Sequence, residues 1–236
     1  MKKFFGIVVF GLMIAAFVFA LKGNIPTFGT TTVVTDDTKK EEGKTVIVID
    51  PGHGGFDPGK VGVNDVLEKD INLSISLKLK ELLEAEDMEV IMTRSEDCGL
   101  YSSTDSNKKR ADMQKRVEII NNSGAVLAVS IHQNSFGQES SKGAQVFYHE
   151  ASDKGKALGE TLQEVIKEEI ADGNHRVAKS NDSYYMLRKT QCPLVIVECG
   201  FLSNYEEAEL LTEDEYQKKM SEAIKDGIKK YLEQNA

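Results

Sequence analysis

The stretch TVIVIDPGHGG, residues 45–55, decides how this chain is built. Five consecutive β-branched residues, Thr45 to Ile49, favour extended backbone. Asp50, Pro51 and Gly52 then turn that strand into a loop. The run is apolar throughout rather than alternating, which marks a strand covered on both faces.

Working outward, the chain alternates strands with helices. Ile71, Ile75, Leu79 and Leu82 recur at spacings of four and three, predicting a helix over 69–86. EVIMT (89–93) is a second strand, and the turn-rich residues 95–107 form a surface loop. A helix is expected over 108–122, and a third buried strand at VLAVSI (126–131). Further strands are expected over 143–148 and at LVIVE (194–198), with a helix over 154–170 between them. A closing helix carries Tyr216, Met220, Ile224, Ile228 and Tyr231 on one stripe. This order predicts a single α/β domain with a mixed, mostly parallel sheet and helices on both faces. Residues 135–148 contain no helix to carry a crossover, so antiparallel pairing is expected there.

Towards the N-terminus the composition changes twice. Phe4 to Leu21 is an unbroken apolar run, preceded by Lys2 and Lys3. As a helix it would span about 27 Å, close to the hydrocarbon thickness of a bilayer. We read residues 1–21 as a membrane anchor, with a cleaved signal as the alternative because Val18-Phe19-Ala20 loosely resembles a cleavage site. The two lysines keep the N-terminus cytoplasmic and send the rest across the membrane. Residues 22–43 are a polar, threonine-rich linker, and the folded domain is expected over 44–236.

Composition narrows the function classes. The 236 residues carry a net charge of −9, which argues against nucleic acid, whose phosphates are held by clustered Lys and Arg. Cys98, Cys192 and Cys199 lack metal-knuckle spacing and read as free thiols. The glycine-rich loop lacks both the lysine of a P-loop and the spacing of a dinucleotide fold, so it is not a phosphate site.

Chemistry is expected where polar residues interrupt the apolar strands. His53 lies just beyond the first strand, His132 follows Ile131, and Glu198 closes LVIVE. Functional groups gather at the carboxyl ends of strands in open α/β sheets. Glu68, at the start of the first long helix, can turn back into the same crevice. Two histidines and a glutamate suit a zinc site with an open position for water. Glu68 could equally serve its own helix terminus. A buried Glu198 needs a partner, because an isolated carboxylate is costly to bury. His149 and His175 sit among charged and turn residues and are expected on the surface. Cys199 faces away from Glu198 on its strand.

These residues resemble the zinc-dependent N-acetylmuramoyl-L-alanine amidases of the amidase type 3 family. The likeness runs over residues 45–234 through VIVIDPGHGG (46–55), LEKD (67–70), MTR (92–94), KKRADMQKRVEIIN (108–121), SIHQN (130–134), KGAQVFY (142–148), MLR (186–188) and PLVIVECGFLSN (193–204). The layout, with the segment GLYSSTDSNKKR (99–110), is similar in particular to the germination-specific, spore-cortex amidases. The resemblance implies His53, Glu68 and His132 as zinc ligands and Glu198 as the catalytic glutamate. It implies peptidoglycan as substrate, cut between the N-acetylmuramic acid lactyl group and L-alanine. Ser135 and Cys199 depart from the common pattern without replacing a ligand.

Two rivals follow from the same residues. Glu68 and Glu198 could be the paired carboxylates of a metal-free wall glycosidase. A zinc-containing wall-binding or regulatory protein would need an activating partner.

Overall fold

The computed structural model describes residues 43–235. The apolar segment 1–21 and the linker as far as residue 42 lie outside the described residues. Among the described residues no helix is long and apolar enough to cross a membrane.

The elements run β1 (Val46–Pro51), α1 (Glu68–Ala85), β2 (Glu89–Met92), α2 (Lys108–Asn122), β3 (Leu127–Asn134), β4 (Gln145–Tyr148), α3 (Asp153–Ile170), β5 (Lys179–Ser180), α4 (Tyr185–Lys189), β6 (Leu194–Phe201), α5 (Tyr205–Leu210) and α6 (Asp214–Gln234). The six strands form one sheet in the order β2-β1-β3-β6-β4-β5. All neighbours are parallel except β4 and β6. The expected antiparallel strand is therefore β4, but its partner is β6 rather than β3. Both edges of β3 are already taken by β1 and β6, so the chain leaving β3 must reach the outer edge of β6.

Side-chain alternation divides the core between two faces. Ile47, Ile49, Leu127, Val129, Ile131, Val195, Val197 and Cys199 meet the thick layer of α1, α3 and α6. Val48, Ala128, Leu194 and Ile196 meet the thinner layer, where α2 supplies Ile120 and α4 supplies Met186 and Leu187. Asp50, Ser130, His132 and Glu198 share the parity of this second set. The site is consequently built on the face with less helical cover.

Three sequence readings need correction. Leu83, fully buried, completes the α1 stripe in place of the half-buried Leu82. β3 extends to Asn134 and β6 to Phe201, so His132 and Glu198 lie within strands and pair in register. A bulge between His132 and Asn134 takes up the irregularity. The short β5, α4 and α5 escaped notice because two to six residues hold too few repeats of either period to register.

Candidate active site

The loop after β1 presents His53 in an uncommon backbone state, φ 61°. Residues with a Cβ rarely take left-handed φ, and such strain persists only where the surroundings enforce it. Two arginines do so. Arg116 donates to the Pro51 carbonyl (2.6 Å) and the His53 carbonyl (2.5 Å). Arg94 donates to the carbonyls of Pro51 (3.0 Å) and Gly52 (2.9 Å). Arg116 is itself anchored by Asp50 at 2.8 Å and Asp112 at 2.6 Å. Asp50, 1% exposed, also accepts hydrogen bonds from Thr93 and Ser130, each at 2.6 Å. Burial works to raise the Asp50 pKa, but Arg116 and the two hydroxyls outweigh it and hold the carboxyl below its ordinary value.

On this support, ring nitrogens of His53 and His132 and a carboxylate oxygen of Glu68 lie within 4.8 Å of one another. Glu68 Oε1 is 2.9 Å from His132 Nδ1 and 3.2 Å from His53 Nε2. The other ring nitrogen of His53 meets Asp57 at 3.0 Å. A carboxylate on the far side of an imidazole fixes its orientation, as it does for metal-bound histidines. Glu68 also accepts from the backbone amides of Lys60 (2.8 Å) and Gln133 (3.1 Å) and from Asn72 (3.3 Å). Although burial pushes its pKa up, the two histidines hold it far below the usual carboxylate range. Gly52 and Gly59 make room: a Cβ on Gly52 would strike the His132 ring, and one on Gly59 would meet Glu68 and His53. Two imidazoles and one ionised carboxylate converging from three elements are a donor set that fits zinc and leaves further coordination positions open.

Glu198 lies beside this triad, paired in register with His132. It is 7% exposed, and its Oε2 has no hydrogen-bond partner among the described residues. Burial pushes its pKa up to about 7; Glu68 adds to the rise and His132 opposes it. A carboxyl group that gains and loses a proton near neutrality suits general acid–base work. Glu198 and the triad line a cleft of about 500 Å³, walled by Lys109, Asp112 and Met113 of α2 and by Tyr184 and Tyr185.

All four sequence-predicted site residues thus line one cleft. His175 is exposed, and His149 lies outside the cleft beside Asp182. Cys199 is buried in the thick layer, and the three cysteines are free. Sequence reasoning missed Asp50, Asp57, Arg94 and Arg116 as supports. Arg94 and Arg116 sit within the quoted MTR and KKRADMQKRVEIIN segments, but nothing there separates a buried arginine from its solvated neighbours. The glycosidase reading gives His53 and His132 no role, and it asks for a free second carboxylate where Glu68 is 2% exposed with both oxygens already engaged by the two histidines and the Lys60 and Gln133 amides.

Comparison with known proteins identifies the family. The family model described as N-acetylmuramoyl-L-alanine amidase matches residues 47–230. The germination-specific N-acetylmuramoyl-L-alanine amidase of Bacillus subtilis (strain 168) is 35% identical over 190 residues, 79% of each chain. The CwlD amidase from Clostridioides difficile, solved in complex with the GerS lipoprotein, is 42% identical with a TM-score of 0.78, covering 80% of this chain and 99% of that one. The amidase AmiC2 of Nostoc punctiforme is 36% identical with a TM-score of 0.72, over 81% and 98% respectively. The chain belongs to the amidase type 3 family of N-acetylmuramoyl-L-alanine amidases, enzymes that act on peptidoglycan.

Proposed function

We propose that this amidase is zinc-dependent, with His53, Glu68 and His132 holding the metal and Glu198 moving the proton. The observation that carries the reading is the convergence of two imidazoles and a carboxylate within 4.8 Å, next to a buried glutamate with an unpartnered oxygen. Bound there, zinc would supply Lewis acidity toward the amide carbonyl and lower the pKa of water. Glu198 takes a proton from the attacking water as the new carbon–oxygen bond forms. It then returns that proton to the alanine nitrogen as the carbon–nitrogen bond breaks, so the leaving group departs as an amine. Asp57 keeps His53 Nδ1 occupied and its Nε2 turned toward Glu68.

Residues 1–21 are read as a membrane anchor and 22–43 as a tether, so the catalytic domain from residue 44 works outside the cytoplasm. The lysines before the apolar run support this orientation. Signal cleavage would instead release the domain. The Bacillus subtilis relative is germination-specific, which supports spore cortex as the substrate. The lipoprotein bound to the Clostridioides difficile amidase supports a protein partner for this chain, with activation as the role we assign it.

The test is digestion of purified peptidoglycan by the full chain with zinc, followed by mass spectrometry. Stem peptides beginning with L-alanine should appear, and should vanish with a chelator or in Glu198→Gln. Undiminished release in chelator would refute the metal, and undiminished release by Glu198→Gln would refute the proton carrier.

A further inference from the structure

Phe56 stands at the tip of a two-residue hairpin. Gly54 and Asp57 exchange both backbone hydrogen bonds, at 3.0 and 3.2 Å, and Gly55 takes the first central position at φ 59°. Such turns need positive φ there, which glycine supplies without strain. The tip is fixed from beneath. Asp97 accepts from the Gly55 amide at 2.8 Å, and Lys69 donates to the Gly55 carbonyl at 3.0 Å and to Asp97 at 2.6 Å.

On this mount Phe56 is 53% exposed. Tyr101 meets it edge-on, centroids 5.1 Å apart and planes at 79°. Lys108 Nζ lies 5.9 Å from the Phe56 centroid and 5.3 Å from that of Tyr101. Folding alone gains nothing from holding a large apolar ring in water at a rigid position. An aromatic pair held rigidly beside a cleft is placed to meet whatever extends out of that cleft. The cluster also adjoins the cleft. Asp57, next in sequence, contacts both His53 (3.0 Å) and Lys109 (3.3 Å), which line it. Phe56 is three steps along the chain from His53, at most about 11 Å.

We infer that Phe56, Tyr101 and Lys108 form a carbohydrate subsite that takes a pyranose ring of the glycan strand beside the scissile amide. The inference rests on the amidase reading, because the amide carbonyl belongs to a lactyl group carried by a sugar. The glycan must therefore continue past the rim of the cleft, within reach of Phe56. A pyranose offers a flat face of C–H groups that packs on an aromatic ring. Its hydroxyl and acetamido oxygens accept from an ammonium or a phenol, which Lys108 and Tyr101 provide. The stem peptide has no such face. Tyr101 and Lys108 both come from GLYSSTDSNKKR, of which Lys109 alone lines the cleft.

The probe is peptide-free glycan strand of alternating N-acetylglucosamine and N-acetylmuramic acid, titrated calorimetrically into the zinc-loaded full chain. Phe56→Ala and Tyr101→Ala should each weaken binding about tenfold, while Phe56→Tyr binds like wild type. Zinc content and melting temperature should stay unchanged. On polymeric peptidoglycan the same variants should raise KM and leave kcat in place. Unchanged glycan affinity in both alanine variants would overturn the subsite. So would weakened binding that merely tracks lost zinc, since the hairpin would then serve only His53. Unchanged glycan affinity with loss of a bound accessory protein would reassign the cluster to a protein contact and also overturn it. Failure of the zinc reading is separable: glycan binding that depends on Phe56, without any zinc-dependent release of stem peptides, would refute that reading and leave the subsite standing.

Discussion

Arg116→Met tests whether the buried ion network, rather than the loop's own sequence, holds His53 in place. Arg116 is 3% exposed and spends its guanidinium on Asp50, Asp112 and the carbonyls of Pro51 and His53. Methionine keeps much of the length and none of the donors. Asp50 would remain buried with two hydroxyl donors and no cation bonded to it, and removing one partner of a buried pair costs about 3–5 kcal/mol. For a domain of this size, each kcal/mol lowers Tm by about 2–4 °C, so a fall of roughly 6–20 °C is expected. Urea denaturation in the presence of chelator separates this cost from any change in metal binding. Asp50→Asn added to Arg116→Met should recover part of the loss, with a coupling of about 1–3 kcal/mol, because the amide no longer leaves a charge uncompensated. The pH dependence has a definite sign. Asp50 has a folded pKa below its unfolded value. Its contribution is therefore fully present above the unfolded pKa, near 3.9, and is lost as pH falls through the folded one. The gap between wild type and Arg116→Met should hold through neutral pH and close only in strong acid. A cost under about 1 kcal/mol, or strict additivity with Asp50→Asn, would refute the reasoning.

Glu198→Gln should retain zinc, measured by elemental analysis, and lose about 10²–10⁴ in kcat. The same variant should be more stable than wild type when both are metal-free. The folded pKa of Glu198 is raised from 4.5 to about 7, so ionisation weighs against the folded wild type. The difference should grow from pH 4.5 to 7 and level off near 3 kcal/mol, which denaturation across that range will show. Gly52→Ala should fold, by circular dichroism, yet bind zinc more than 100-fold weaker, because its methyl group occupies the space of the His132 ring. Zinc at 100 times its dissociation constant should stabilise wild type by about 2.7 kcal/mol, whereas His132→Ala should show no zinc-dependent rise in Tm.

The alternation of continuous apolar strands with periodic helices was enough to name an α/β domain, because burial on both faces leaves its mark along each strand. The family motifs carried His53, Glu68, His132 and Glu198 as single positions. No local pattern in them says that Glu68 spans both histidines, since that contact joins residues 15 and 64 apart in the chain. The partner of β4 was likewise unreadable: strand order depends on which sheet edge remains free, a property of the assembled sheet. The supports were hidden for a related reason. Arg116 and its neighbour Lys115 look alike on a polar helix, yet one is buried against Asp50 and the other solvated beside Glu118. Sequence fixes residue type and period, which decide what each segment becomes. Burial, and with it the depressed carboxyl of Glu68 and the raised one of Glu198, comes only when distant segments close around the same few ångströms.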